Sequence, residues 1–333
     1  MSNFIELPGL RGDDPLGFLA ALGTLRLATV GLGIPARLHF APGADLTARI
    51  DLGEAKDLLG LAEDIEALAR QMEAEGRLLC GTPCVFPPKK QGTRGGDPAR
   101  LSAEDALVWG RSAGTASMSG DESLAEWLVS VYCPRSLDEG RVTMTLFYAP
   151  SGQMTFAGNL AEPLRLVAAE HGHVASAFTR WRRVGGFTGA NLDQRALRDA
   201  GVEPSGKPAN RGAPGPTWLA LQGLVLARLS ARGDPVPSVL WQRRNRGERG
   251  RRALGMVWPT WSRPVDMCAV RALLDHPDLS TRLLHSEIGH KALDQRRREL
   301  GLTGLWRSER LGLSQSDGPL MSASRLWPES SAE

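Results

Sequence analysis

The chain has 333 residues, of which 42% are hydrophobic and 23% are charged. This composition excludes disordered and collagen-like chains and indicates a folded protein of one to three domains. Four cysteines without an N-terminal apolar signal segment do not form the disulfide framework of a small secreted domain, so we expect a reducing, cytoplasmic environment. Because Arg26, Gln222 and Arg228 interrupt the longest apolar stretches, no transmembrane helix is predicted.

Charge is unevenly distributed along the chain. Residues 1–150 contain 14 basic and 20 acidic residues, whereas residues 151–333 contain 26 basic and 17 acidic residues. Residues 180–263 alone contain 16 basic residues, 15 of them arginine, and 5 acidic ones. We therefore predict an acidic N-terminal α+β part over residues 1–150, a basic C-terminal α+β part over residues 151–311 and a disordered tail over residues 312–333.

The first 33 residues are predicted to form an extended segment, a turn and a helix. Residues 4–7 are extended, and residues 8–12 contain the proline and glycines of a turn. Asp14 is placed to cap the following helix, and Pro15 suits its first turn. The helix is apolar almost all round and contains Gly17 and Gly23, which lower helix propensity and indicate the close approach of a neighbouring element.

The rest of the chain alternates between predicted helices and short strands. Glycine-, proline- and lysine-rich sequence predicts a loop within residues 80–120, and a second loop or linker is predicted over residues 185–216. These patterns predict an α+β fold of mixed helices with short antiparallel strands and hairpins, and no recognised superfold. The predicted strands are residues 36–40, 46–52, 141–149, 239–244 and 252–258, and the further predicted helices are residues 54–75, 102–110, 160–181, 217–230, 265–274 and 281–300.

The search for catalytic motifs is negative. The chain lacks a Gly-x-x-x-x-Gly-Lys-Ser/Thr phosphate loop, a Gly-x-Ser-x-Gly elbow and a His-Glu-x-x-His pair. Cys80 and Cys84 have a metal-like spacing, but no second Cys or His pair follows at the distance of a zinc finger. We therefore predict a protein that is not an enzyme and that has no catalytic residue, metal or cofactor. The alternative is a metal-dependent nuclease that uses scattered residues such as Asp193, His285 and Glu287.

Arginine clusters in the second half are the strongest functional signal. Three arginines flank Trp181, and six lie at or near the tip of the hairpin predicted from residues 239–258. Six like charges within ten residues repel one another unless a polyanion or an acidic partner relieves them. Arginine contacts phosphates, and a glutamine at the strand-to-helix turn before residue 160 is placed to donate to a phosphate near a helix N-terminus. The predicted nucleic-acid-binding residues are Gln153, Arg180, Arg182, Arg183, Arg243, Arg244, Arg246, Arg249, Arg251 and Arg252.

Two questions about this basic segment stay open at the level of sequence. Trp241, Trp258 and Trp261 are interleaved with the arginines, and they either stack unpaired bases or belong to the core. The arginines contact either nucleic acid, as guide RNA or target DNA, or acidic protein subunits. We favour nucleic acid and keep a protein–protein adaptor as the alternative.

Three blocks of this sequence, in order, resemble a known family. They are Leu7-Pro8-Gly9-Leu10-Arg11-Gly12-Asp13-Asp14-Pro15-Leu16-Gly17-Phe18-Leu19-Ala20-Ala21-Leu22-Gly23-Thr24-Leu25-Arg26, then Ser151-Gly152-Gln153-Met154-Thr155-Phe156 with a helix and Trp181 after it, and then Thr217-Trp218-Leu219-Ala220-Leu221-Gln222-Gly223-Leu224 with a later Trp258-Pro259-Thr260-Trp261. The chain is similar to the accessory proteins of type I-G (formerly I-U) CRISPR loci that are described as extensions of the helicase-nuclease. The first block is shared with the large subunit of the same loci.

The resemblance implies a role in RNA-guided antiviral defence. The chain would be either a component of the CRISPR effector complex or a factor that joins the complex to the helicase-nuclease. The family supplies no catalytic motif that matches positions in this chain. Where the family leads us to expect an acidic run before an Asp-Arg-Arg element, this chain has Asn191-Leu192-Asp193-Gln194-Arg195.

Overall fold

The computed structural model shows an α+β protein, as predicted, and its described residues form nine α-helices and twelve strands. The helices are α1 (Pro15–Arg26), α2 (Leu58–Ala74), α3 (Ala103–Met118), α4 (Glu122–Val131), α5 (Phe156–Ala169), α6 (His173–Phe178), α7 (Pro214–Gly223), α8 (Met267–Leu274) and α9 (His290–Glu299). The strands are β1 (Phe4–Arg11), β2 (Arg37–Phe40), β3 (Thr47–Asp51), β4 (Tyr132–Asp138), β5 (Arg141–Met144), β6 (Val184–Gly185), β7 (Arg211–Gly212), β8 (Trp241–Arg243), β9 (Leu254–Trp261), β10 (Leu302–Gly312), β11 (Asp317–Leu320) and β12 (Ser324–Trp327). The structure describes residues 4–53, 55–81, 102–118, 122–138, 141–149, 155–196, 210–229, 238–243, 254–279, 290–312 and 317–328.

The N-terminal sheet has the strand order β1-β3-β2 and is antiparallel throughout. Leu7 pairs with Ala48, after which the register shifts until Arg11 pairs with Thr47. The segment predicted as a turn over residues 8–12 is therefore the irregular end of a longer strand. Its proline and glycine interrupt the ladder without ending the extended path.

Helix α1 begins and packs as its sequence predicts. The Asp14 side chain accepts the Gly17 N–H at 2.9 Å, and Pro15 occupies the first turn. All twelve residues of α1 are buried, and so are all ten residues of α7, which packs against it. A Cβ atom built on Gly23 would lie 1.7 Å from the backbone oxygen of Leu219 in α7. The close approach predicted from the helix glycines is confirmed at this crossing.

The C-terminal sheet has the strand order β11-β10-β9-β8, and β12 also pairs with β10. The hairpin predicted from residues 239–258 is confirmed in its strands, because β8 and β9 are antiparallel and Arg243 pairs with Leu254. Every residue of β9 is buried. The prediction of a disordered tail from residue 312 requires correction. Strands β11 and β12 lie within this segment, and their residues Leu320 and Trp327 bury their side chains in the core.

Two further predictions require correction. The helix predicted over residues 160–181 is two helices, α5 and α6, separated by Gly172, which has a left-handed φ of +86°. Glu66 of α2 accepts the backbone N–H groups of Gly172 and Val174 and so favours a new helix start there. Over residues 185–216, for which a loop or a linker was predicted, the described residues are mostly loop with short strands and turns, and residues 187, 189–193, 196 and 212–216 are buried. The segment is therefore a packed loop, and only the linker alternative is corrected.

One hydrophobic core contains residues from both predicted parts of the chain. Helix α1 from the acidic part and α7 from the basic part lie together at its centre. The predicted boundary at residue 150 therefore separates regions of different charge but not two cores. Among the helices that the structure describes, none combines the length and apolarity needed to cross a membrane.

Candidate functional site

The β1–α1 junction, defined here as residues 8–15, is where the blocks that carry the family resemblance meet. The indole N–H of Trp181 donates to the Gly9 carbonyl at 2.8 Å, and that of Trp258 donates to the Gly12 carbonyl at 2.8 Å. A Cβ atom built on Gly9 would lie 2.2 Å from the backbone oxygen of Ala177 at the end of α6. This junction therefore needs glycine for close backbone contact and two tryptophans for hydrogen bonds to its carbonyl groups.

An ionic network lies beside this junction, and we call Asp14, Arg183, Asp193 and Arg195 the Asp193 network. Asp193 is almost fully buried and accepts from Arg183 at 2.7 Å and from the Arg195 side chain at 3.0 Å. Its carboxylate also accepts the Arg195 backbone N–H at 2.8 Å. Arg195 reaches Asp14 at 2.7 Å, and its guanidinium lies 4.3 Å from the centre of the Trp181 ring.

The charged side chains of the Asp193 network shift the pKa values of one another. Burial raises the pKa of Asp14, and the positive charge of Arg195 acts in the opposite direction. Burial lowers the pKa of Arg195, but the charges of Asp14 and Asp193 outweigh it and leave the Arg195 pKa raised. Two carboxylates balance two guanidinium groups, so the network carries no excess charge toward an outside ligand. Its chemistry is that of an internal clamp, which holds residues 181–195 against the start of α1.

The three arginines predicted to bind nucleic acid around Trp181 have different surroundings. Arg180 is exposed, and within the described part of the chain it has no ionic or hydrogen-bonding partner. Arg182 forms an ion pair with Glu170 and also donates to the His171 carbonyl at 3.4 Å. Arg183 joins the Asp193 network and donates to the Arg211 carbonyl at 2.8 Å. Internal carboxylates therefore neutralise two of the three.

The remaining predicted site residues lie mostly outside the described residues. Arg243 ends β8 opposite Leu254, which places it at the base of the hairpin connection. Residues 244–253, which join β8 to β9, and the turn that contains Gln153 are not among the described residues. Their roles stay predictions. The residues in this group are Gln153, Arg244, Arg246, Arg249, Arg251 and Arg252.

The interleaved tryptophans belong to the core. Trp241, Trp258 and Trp261 are all buried, and Trp261 donates its indole N–H to the Leu38 carbonyl at 2.7 Å. Phe18 lies within 6.2 Å of both the Trp258 and the Trp261 ring centres. Base stacking on these three rings is therefore excluded in this fold, and the core interpretation of the sequence is the correct one.

The residues named for a nuclease do not form a metal site in the part of the chain that the structure describes. Over those ranges, no group of three or more His, Cys, Asp and Glu side chains is arranged to hold a metal ion. Asp193 is occupied by two arginines and a backbone N–H, so its oxygens are already hydrogen-bonded. His285 and Glu287 lie outside the described residues.

Sequence reasoning missed the partners within the Asp193 network and the internal use of several arginines. Asp14 was explained as a helix cap, yet its second oxygen binds Arg195, 181 positions later. Arg26 and Arg297 are fully buried, and Arg310 donates to four backbone carbonyls. An arginine inside an apolar run, such as Arg26 at the end of α1, is the one sequence signal that could have marked an internal role.

Comparison of the chain with protein-family models and with curated proteins gave no match.

Proposed function

We propose that this protein is a non-catalytic nucleic-acid-binding component of a type I-G-like CRISPR effector system. The observation that carries the proposal is the hairpin connection at residues 244–253, which contains five arginines and one glutamate between two strands that pair. Because Arg243 pairs with Leu254, this connection begins and ends at the same end of the β8–β9 pair. A phosphate backbone is the ligand that best relieves such a concentration of positive charge.

The anchoring of this hairpin supports the proposal. Strand β9 is buried along its whole length, and its Trp258 is hydrogen-bonded to the β1–α1 junction. The segment that carries Arg180 is attached to the same junction through Trp181. Strand β9, which follows the hairpin connection, and the segment that carries Arg180 are thus attached to the same junction.

We assign a different role to Arg182 and Arg183, whose charges are neutralised by carboxylates. Arg182 pairs with Glu170, and Arg183 pairs with Asp193 and donates to the Arg211 carbonyl. Their charge is offset internally, so we assign them to positioning Trp181 and Arg180 rather than to phosphate contact. The acidic first half is assigned to contacts with effector subunits or with the helicase-nuclease, as the family resemblance implies.

Salt dependence tests the nucleic-acid proposal directly. The affinity of the purified chain for labelled single-stranded RNA, single-stranded DNA and duplex DNA is measured over a range of salt concentrations. If six phosphates of a duplex are neutralised, log affinity falls against log salt with a slope of about −5. An affinity without salt dependence contradicts phosphate contact by the arginines.

A matched pair of triple variants locates the contact. Arg244→Gln, Arg246→Gln and Arg249→Gln together are expected to weaken binding at least tenfold and to reduce the duplex slope by about 2.7. The control removes three exposed arginines of equal charge from other surfaces, Arg37, Arg111 and Arg298, none of which is ion-paired within the described residues. Equal losses in the two triple variants contradict the hairpin site. If no nucleic acid binds and the first variant loses effector subunits in co-purification, the adaptor alternative replaces the proposal.

A further inference from the structure

Two contacts between an arginine and a tryptophan lie at the surface near the β1–α1 junction. The guanidinium of Arg195 lies 4.3 Å from the centre of the Trp181 ring, and that of Arg325 lies 5.5 Å from the centre of the Trp306 ring. Trp306 and Arg325 are directly opposite each other in the β10–β12 ladder, so their side chains share one face of the sheet. Both arginines are exposed and both tryptophans are half-buried. We call these four residues the two Arg–Trp pairs.

A hydrogen bond between two distant segments brings the two Arg–Trp pairs near each other. Gln194, the neighbour of Arg195, donates its side-chain amide to the Ser322 hydroxyl. Ser322 precedes Arg325 by three residues, which span at most about 10 Å of extended chain. The two arginines are therefore attached to segments that touch at the surface.

The tryptophans of both pairs are also attached to the β1–α1 junction. Trp181 donates to the Gly9 carbonyl at 2.8 Å. Trp306 donates to the Thr260 hydroxyl at 3.3 Å, and a Cβ atom built on Gly12 would lie 2.7 Å from the Thr260 methyl group. Because Gly9 and Gly12 are three positions apart, the two indoles lie close to the same short stretch of backbone.

Hydrogen bonds fix the orientation of each flat guanidinium group. Arg195 donates its Nε to Asp193 at 3.0 Å and its outer nitrogen to Asp14 at 2.7 Å, and Arg325 donates to the Thr303 carbonyl at 3.2 Å. Guanidinium N–H groups donate in the plane of the group, so these bonds leave its faces free for flat partners. The Arg195 side chain remains 48% exposed although two carboxylates and a ring contact it. Guanidinium planes of this kind stack on unpaired nucleic-acid bases.

The charges beside the two Arg–Trp pairs are compatible with a polyanionic strand. Arg180 is exposed and has no partner within the described residues, and Arg325 has no carboxylate partner in the same part of the chain. The two carboxylates of the junction, Asp13 and Asp14, are each paired with an arginine. A strand that crosses this surface therefore meets two available positive charges, and each carboxylate of the junction is already neutralised.

We propose that the two Arg–Trp pairs stack unpaired bases of a single strand, RNA or DNA, while Arg180 contacts its phosphates. A duplex does not offer this contact, because its base faces are covered by neighbouring base pairs. The inference rests on the proposed function for the presence of nucleic acid, and it names the class of strand. It also assigns part of the affinity to bases rather than to phosphates.

Fluorescence anisotropy of labelled oligonucleotides with the full chain tests this assignment. An intact single strand is compared with an abasic strand of the same length, which keeps the sugars and phosphates but has no bases. Because the two strands carry the same phosphates, both affinities should fall with salt at the same slope. The intact strand is expected to bind about tenfold or more tightly at every salt concentration.

RNA and DNA versions of both strands distinguish the two sources of the ligand, and the chemistry with the larger ratio of intact to abasic affinity is the one assigned. Equal affinities of intact and abasic strands in both chemistries overturn this inference and leave phosphate binding by the hairpin standing. If neither strand binds in either chemistry, the proposed function and this inference both fail.

Charge-conserving variants connect the base contribution to this surface. Arg325→Lys keeps the positive charge but removes the flat group, so it is expected to weaken binding of the intact strand about tenfold and to leave the abasic strand unchanged. Arg195→Lys, which keeps the net charge of the Asp193 network, should give the same pattern. The control is Arg37→Lys, at an exposed arginine without a partner in the described ranges, and it should change neither affinity.

Two outcomes of these variants would contradict the assignment. If Arg325→Lys weakens binding of intact and abasic strands equally, Arg325 contacts phosphates and not bases. If Arg325→Lys and Arg37→Lys leave the intact strand with equal affinities, the bases are bound elsewhere. Arg325 is exposed, so its replacement tests stacking without disturbing the core.

Discussion

Trp181 donates its indole N–H to the carbonyl oxygen of Gly9 at 2.8 Å, across 172 positions of sequence. This bond joins the first strand to the segment that carries three of the predicted nucleic-acid-binding arginines. The face of the same ring lies under Arg195, whose guanidinium reaches Asp14 at the start of α1. The position of Arg180 on the surface therefore depends on contacts made by its neighbour.

Replacing Trp181 tests this dependence. Trp181→Phe keeps an aromatic ring but removes the donor to Gly9, so we expect the free energy of unfolding to fall by about 1–2 kcal/mol. Urea denaturation measures the loss. Trp306→Phe is the control, because that half-buried indole donates to the Thr260 hydroxyl at the longer distance of 3.3 Å. A smaller loss for Trp181→Phe than for Trp306→Phe would contradict the importance of the Gly9 bond.

Gly23 tests the crossing of the two buried helices. An added Cβ atom would meet the Leu219 backbone oxygen, which cannot move without shifting α7, so Gly23→Ala is expected to cost about 3 kcal/mol or more. Gly110→Ala in α3 is the matched control. There the nearest atom to an added Cβ is the Tyr132 hydroxyl at 3.5 Å, and the change should stabilise the protein by about 0.5–1 kcal/mol. Similar unfolding midpoints for the two variants would contradict the close crossing.

Asp193 tests whether the ionic network acts as a clamp. Asp193→Asn removes the charge that two arginines share, and we expect a loss of about 1–3 kcal/mol in the free energy of unfolding. Asp45→Asn should change stability by less than about 0.5 kcal/mol, because that carboxylate is exposed and lies 3.8 Å from Arg11. Chemical denaturation compares the two. A neutral effect at Asp193 would show that the network does not hold the fold.

His173 tests the response of the fold to acid. It is fully buried, and burial lowers its pKa; Arg182 acts in the same direction, whereas Glu170 and Glu66 oppose it. Below a pH of about 6.5 the unfolded chain therefore binds a proton that folded His173 does not, so the free energy of unfolding falls as the pH decreases. Unfolding measured at several pH values should show this slope.

Two histidine variants separate this effect from general acid destabilisation. His173→Gln is expected to make the dependence on pH between neutral and mildly acidic conditions shallower. His39, which burial also keeps at a lowered pKa, retains part of the slope in that variant. His39→Gln is the second variant, and it should remove that remaining part of the slope and leave the part that belongs to His173. If His173→Gln has the same slope as the unmodified protein, the buried imidazole does not contribute.

Local features of the fold could be predicted because they depend on neighbouring residues. The cap at Asp14, the end of α2 at Gly76 and the pairing of β8 with β9 all follow from short patterns, and each is present in the structure. The break at Gly172 was not predicted. It depends on Glu66, which lies more than a hundred positions earlier and whose carboxylate accepts N–H groups there.

The candidate site was predicted less well than the fold, because charge density does not reveal partners. Arg180 and Arg183 are equivalent in sequence, yet one is exposed and the other lies against a buried carboxylate. The three interleaved tryptophans were consistent with base stacking until their burial was known. Unlike the hairpin arginines, a cleft between α2 and α5 has no signal in the sequence, since its lining comes from residues about eighty positions apart.

The sequence by itself determined the α+β class, most of the helices, half of the twelve strands, the close crossing of α1 and the asymmetry of charge between the two halves. These properties follow from periodicity, capping and composition, which act over a few residues or over the whole chain. Only the tertiary structure decided which arginines are neutralised, which tryptophans are buried and which polar groups line a cleft. Those outcomes depend on contacts between segments far apart in the chain, and no local pattern specifies which distant residue will be the partner.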